Sequence, residues 1–126
     1  MKTIDLFCYG TLKRGGGNHY FLQDQHFLGE CRTAPTYLLF NAGGFPALVY
    51  DENGYSVSGE LYEVDKTIIP TLDILESVGH NLFHRDAVIL QSPFADKNAI
   101  AYLFSQPVKG LIRAGSFWRE NTSHSL

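Results

Sequence analysis

The chain of 126 residues carries 10 Lys and Arg against 13 Asp and Glu, a net charge of −3, with 44% hydrophobic and 18% charged residues. This length buries a core without staples and reads as one domain, 1–126, whose tail from about residue 107 is the least patterned part. The slightly acidic balance, with basic residues scattered rather than striped, excludes nucleic acid as the main partner, because phosphate binding wants a basic field.

Two cysteines, Cys8 and Cys31, and five histidines show no metal-ligand spacing, so neither a metal nor a cofactor is expected. Two packed thiols in a reduced, cytoplasmic protein is the simplest reading. No signal-peptide h-region or membrane-spanning run is present, so no membrane partner is expected. Nothing in the sequence sets an oligomeric state.

The first predicted element is a strand in which Ile4, Leu6 and Cys8 alternate with Asp5, Phe7 and Tyr9. It runs into Tyr9-Gly10-Thr11-Leu12-Lys13-Arg14-Gly15-Gly16-Gly17-Asn18, with Asn18 as the expected N-cap of a short helix through His19, Phe21 and Leu22. Glycine lets backbone approach a ligand, and a helix N-terminus points free N–H groups outward. A carboxylate, a phosphate or a developing oxyanion would all suit such a loop, as would no ligand at all if it is a surface turn. The glycine spacing fits neither a P-loop nor a dinucleotide fingerprint. Lys13 and Arg14 are the one basic pair, either solvated or placed to draw in a small anion.

Phe21 to Leu28 is a mixed stretch ending at Gly29. Cys31 to Phe40 reads as extended, with Pro35 marking a bend or an edge. Asn41 to Gly44 is a turn, Phe45 to Tyr50 a strand, and Asp51-Glu52-Asn53-Gly54 a hairpin signal. Tyr55 to Val64 is a longer strand in which Gly59 implies a bulge or a close backbone approach. Asp65 caps a predicted helix over Lys66 to Glu76, with Pro70 early enough to be tolerated. Phe83 to Leu90 and Asn98 to Phe104 are two further strands. Phe117-Trp118 is the expected docking anchor of the tail, before a polar end from Asn121 to Leu126. About six strands around one main helix give class α+β: a small mixed, mostly antiparallel β-barrel or sheet with flanking short helices.

The predicted helix holds the most informative residue. At about 100° per residue, Ile68, Ile69, Leu72 and Leu75 define one apolar arc, and Glu76 falls near 80°, inside it. Asp73 sits just beyond. A carboxylate aimed at a core is costly unless paired or protonated. Burial raises its pKa toward neutrality, as a general acid/base needs. The competing reading is a structural ion pair of Glu76 with Arg85, or a side chain turned outward at the helix end.

Four motifs, in order, carry a resemblance: Tyr9-Gly10-Thr11-Leu12; Gly43-Gly44-Phe45-Pro46-Ala47; Val57-x-Gly59-Glu60-Leu61-Tyr62-x-Val64-Asp65; and Leu72-Asp73-x-Leu75-Glu76. Over roughly residues 3 to 104 the chain resembles the gamma-glutamylcyclotransferase-like superfamily, and within it the gamma-glutamylamine cyclotransferase branch most. The resemblance implies a small β-barrel with flanking helices that releases the γ-glutamyl group of a small-molecule substrate as 5-oxoproline. It implies that the backbone of Tyr9, Gly10, Thr11 and Leu12 cradles the glutamyl moiety, that Glu76 is the acid/base, and that Gly43 and Gly44 with Phe45 and Pro46 border the pocket. Two positions depart from the family pattern. Phe83 stands where a Tyr is usual, seven residues after the catalytic Glu, and Ser77 replaces the usual Gly. Tyr102 is a candidate to supply the missing hydroxyl.

The implied chemistry is intramolecular acyl transfer, in which the substrate's α-amine attacks its own side-chain carbonyl. It needs no protein nucleophile, in keeping with the lack of any Ser-His-Asp or Cys-His constellation. Cys8 reads as core rather than as a nucleophile. The alternative is a non-catalytic module that keeps the pocket to hold a γ-glutamyl or amino-acid ligand. A third reading is a cyclotransferase for another γ-glutamyl amine.

Overall fold

The computed structural model describes residues 2–120 as two sheets and one α-helix. The strands are β1 (Thr3–Cys8), β2 (His26–Arg32), β3 (Tyr37–Asn41), β4 (Pro46–Tyr50) and β5 (Ser58–Asp65). Helix α1 (Ile69–Leu75) follows, then β6 (Phe83–Ala87), β7 (Ala99–Phe104) and β8 (Ile112–Arg113). A five-stranded sheet has the order β2-β5-β1-β7-β6, and a three-stranded sheet the order β4-β3-β8. Every pairing is antiparallel except β1 with β7, where Leu6 lies opposite Ile100. The mixed, mostly antiparallel α+β class therefore holds. The barrel expectation does not, because the edges β2 and β6 approach each other only at one bridge beyond their ends, Thr33 with Leu90.

β1 explains the layering. Both of its faces are buried, whereas a half-exposed strand would alternate apolar with polar residues. Phe7 and Tyr9 face the small sheet, joining Leu39 of β3, Leu48 of β4 and Leu61 of β5 in one core. Leu6 and Cys8 face the other way, into a second core with Tyr62, Val64, Ile69, Leu72 and Tyr102. Helix α1 covers that second face. Its predicted arc is the buried one: Ile69 and Leu72 are buried, and Ile68 and Leu75 pack against the same core. Fully burying a side chain such as Leu72 contributes about 1.5–3 kcal/mol.

Several local expectations shift. The predicted helix over 66–76 is an α-helix only from Ile69 to Leu75, entered through a 3-10 turn at Lys66–Ile68. Asp65 caps that turn as predicted, its Oδ1 accepting the Thr67 amide at 2.9 Å. Strand β2 begins at His26 and passes through Gly29, which pairs with Leu61; the register shift between Phe27 and Gly29 leaves Leu28 as the extra, bulged residue. Strand β5 starts at Ser58, and Tyr55 makes only an isolated bridge to Tyr37. At Gly59 a Cβ would strike the Cys8 carbonyl and the Phe7 ring, the close approach expected there.

Residues 107–120 do have structure. β8 pairs with β3, the Ser58 amide donates to the Ser116 carbonyl at 2.7 Å, and Trp118 packs against the inter-sheet core. The polar end from Asn121 lies outside the described residues. Among the described residues no helix is long and apolar enough to cross a membrane.

Candidate active site

A cavity of about 220 Å³ opens beside the end of β1, walled by Cys8 to Leu12, Phe45 and Pro46, the α1 end at Leu75 and Glu76, and Leu82, Phe83 and Tyr102. Six of the predicted binding residues, Tyr9, Gly10, Thr11, Leu12, Phe45 and Pro46, therefore meet Glu76 on one surface. Gly44 does not. It is exposed in the β3–β4 turn, where its amide donates to Asn41 Oδ1, and the turn directs Phe45 and Pro46 inward instead.

The loop after β1 owes its shape to how its carbonyls are used. Gly10 O accepts from the Lys13 amide at 3.0 Å and Thr11 O from the Asn18 amide at 2.9 Å. Leu12 O lies 2.9 Å from His19 Nδ1, which must therefore donate, and Lys13 O accepts from the Gly16 amide at 2.8 Å. Four successive carbonyls are consumed inside the loop. The amides of Gly10, Thr11 and Leu12 have no protein acceptor among the described residues. Peptide N–H groups left over in this way suit an anion. Gly10 is required here because any Cβ would overlap the Pro46 ring.

Asn18 is not the helix cap that its sequence position predicts. It makes no capping hydrogen bond; its Nδ2 donates to Thr11 Oγ1 at 2.9 Å, and the segment His19–Leu22 is a 3-10 turn. Asn18 thus braces the loop and lines the cavity. Local cap statistics hide this role, because the contact is to a residue seven positions back.

The Tyr9 side chain is structural: its hydroxyl donates to the Tyr102 carbonyl at 2.6 Å. Cys8 borders the cavity, but burial holds its thiol well above the ordinary range, so a thiolate is disfavoured. Burial also pushes Cys31 up to about 12, and both cysteines are free. The basic pair faces away from the cavity. Lys13 is buried with its ammonium on the Trp118 carbonyl at 2.7 Å, and Arg14 bonds Glu60 and Glu30.

Glu76 stands at the end of α1, its amide still bonded to the Leu72 carbonyl at 2.9 Å. Burial raises its carboxyl from the ordinary range to about 7. No hydrogen bond or ion pair reaches that carboxyl among the described residues. The ion pair weighed for it goes elsewhere. Arg85 binds Asp73, Nε to Oδ1 at 2.9 Å and Nη2 to Oδ2 at 3.2 Å. The same carboxylate accepts from the Tyr102 hydroxyl at 2.8 Å. Burial, and then that bond, keep the Tyr102 phenol protonated. Phe83, buried against Phe45 and Phe104, gives the cavity an apolar wall. Among the described residues, no three or more His, Cys, Asp or Glu side chains converge into a metal-ligand set.

An apolar cavity with an unpaired carboxyl of raised pKa and a row of free amides has the groups that proton transfer at a bound anion requires. Comparison with known proteins gives the family. The sequence model for gamma-glutamyl cyclotransferase, AIG2-like proteins matches residues 6–120. The chain belongs to that family. A Vibrio cholerae protein named provisionally as a gamma-glutamylcyclotransferase is 38% identical over 112 residues, covering 89% of this chain and 93% of its own. The Escherichia coli K12 gamma-glutamylcyclotransferase family protein YtfP is 30% identical over 106 residues, covering 84% and 87%. The crystal structure of a mouse AIG2-like protein superposes with a TM-score of 0.82 at 27% identity, covering 98% of this chain and 94% of that one.

Proposed function

We propose that this protein is a gamma-glutamylamine-type cyclotransferase, releasing 5-oxoproline and a free amine from a small γ-glutamyl substrate. One observation carries the reading: the unpaired Glu76 carboxyl, raised to about 7, shares a cavity with the free amides of Gly10 to Leu12.

The cavity holds the substrate bent, with its α-nitrogen near its own γ-carbonyl carbon. Ionised Glu76 takes a proton from the α-ammonium. The freed lone pair attacks the γ-carbonyl, a C–N bond closes the five-membered ring, and the carbonyl oxygen becomes an oxyanion. Glu76 gives its proton to the departing nitrogen and takes the surplus proton from the ring nitrogen. The oxyanion reforms the carbonyl, the bond to the departing amine breaks, and the amine collects that second proton and leaves as an ammonium. Proton and electron pairs balance without water or a protein nucleophile. A carboxyl with a pKa near the working pH serves transfer in both directions. The amides of Gly10 to Leu12 hold the substrate's anionic oxygen. Tyr9, Phe45 and Pro46 shape the cavity around the glutamyl chain.

The test is 5-oxoproline release from a panel of γ-glutamyl amines by wild type and Glu76→Gln, with folding confirmed by circular dichroism. The reading expects a loss of about 10²-fold or more in kcat. Full activity in the variant would end it. One observation favours a second reading, a non-catalytic binding module: Phe83 puts an apolar ring where a hydroxyl is usual. Its signature is a melting-temperature rise with γ-glutamyl ligands and no 5-oxoproline from any of them.

A further inference from the structure

The last described residues close over the far end of the glycine loop. Glu120 Oε1 accepts the Gly17 amide at 2.8 Å, and its Oε2 accepts the Trp118 indole N–H at 3.0 Å. The Trp118 carbonyl accepts the Lys13 ammonium at 2.7 Å, and that ammonium sits 3.6 Å above the Phe117 ring centre. Lys13 in turn donates its amide to Gly10 O and accepts from Gly16 at its carbonyl. The strap therefore grips the loop at Lys13 and at Gly17, on either side of the turn at Gly15–Gly16. Burial lowers the Lys13 pKa, so the ammonium depends on the acceptors it has found.

Besides the strap, this side of the loop is held at Arg14, whose amide donates to Glu60 Oε1 at 2.9 Å. Gly15, Gly16 and Gly17 supply no packing side chain, and three adjacent glycines are costly to order. A segment that must hold amides at fixed angles needs an external brace.

We infer that Phe117–Glu120 is a positioning strap, with Glu120 and Trp118 acting through Lys13 and Gly17 to aim the amides of Gly10 to Leu12 into the cavity. The substrate feels it through the grip on its anionic group. This rests on the proposed cyclotransferase reading for its kinetic consequence, but not for its structural one.

The experiment uses Glu120→Ala and Glu120→Gln in the full chain. Gln keeps an oxygen acceptor for the Gly17 amide; Ala keeps none. In ligand-free protein, the ¹⁵N–¹H resonances of Gly10, Thr11 and Leu12 shift in the Ala variant and return most of the way in the Gln variant. With a γ-glutamyl amine as substrate and well below the melting temperature, the Ala variant raises KM about fivefold or more with kcat within about twofold. The Gln variant recovers most of that rise. Unmoved loop resonances, or an unmoved KM accompanied only by a lower melting temperature, would overturn the inference and leave the strap a stability element. If wild type turns over no γ-glutamyl amine, the cyclotransferase reading fails. The resonance arm still decides the strap.

Discussion

Arg85 holds Asp73 in a two-point contact, at 2.9 and 3.2 Å, and so is spent before it can neutralise Glu76. The two carboxylates stand three residues apart at the end of one helix and have opposite fates. Asp73 collects Arg85 and the Tyr102 hydroxyl. Glu76 finds no partner among the described residues and is driven by burial to about 7. Environments that push the pKa values of two neighbouring carboxyl groups apart in this way suit one of them to the acid/base role proposed for Glu76.

This division predicts the behaviour of Arg85→Ala. The pair is partly exposed, at 42% and 24% of the side-chain surface. It is therefore worth at most about 1 kcal/mol of stability. Because Arg85 does not touch Glu76, kcat/KM should stay within about twofold, and its acidic limb should not move. A pH–rate series on the variant checks this. A limb displaced by a full unit would mean that Arg85 sets the Glu76 proton after all.

Stability should carry the mark of the same residue. The unfolded chain releases the Glu76 proton near the ordinary value of 4.5, while the folded protein keeps it to about 7. Between those values the folded state binds more protons, so its stability falls as pH rises through that window. Glu76→Gln cannot ionise and escapes the fall. Denaturant titrations should find the variant close to wild type below pH 4.5 and more stable by roughly 2 kcal/mol at pH 8, a figure that allows for partial solvent access.

Ser77, the residue after the helix cap, has φ +52° and ψ +43°, a left-handed conformation that strains a side chain. Gly tolerates it freely but adds freedom to the unfolded chain. Ser77→Gly should raise stability by about 0.5 kcal/mol and leave kcat/KM within about twofold, measured by urea melts and steady-state rates.

Much of this arrangement is legible in the sequence. Glu76 is found because a helix repeats near 3.6 residues, and that repeat survives the shortening of the helix to Ile69–Leu75. Asp65 and Gly59 are found because a cap and a close approach each demand a narrow set of residues. The contacts that were missed are remote ones. Asn18 satisfies the rule for a cap but spends its side chain on Thr11. Gly44 shares a motif with Phe45 and Pro46, yet a tight turn sends it to solvent. The partition of Arg85 between Asp73 and Glu76 depends on β6 packing beside α1, which periodicity along one helix does not contain. The strap joins residues 105 positions apart and leaves no local pattern. The open barrel depends on where β2 and β6 stop pairing, another long-range fact.

The carboxyl of Glu76 can be observed directly by ¹³C NMR across pH 4 to 9 in the ligand-free protein, assigned by its absence in Glu76→Gln. The account predicts a titration midpoint near 7 for that single resonance. A midpoint at the ordinary value of 4.5 would contradict it, because the group would then be a solvated carboxylate at every working pH.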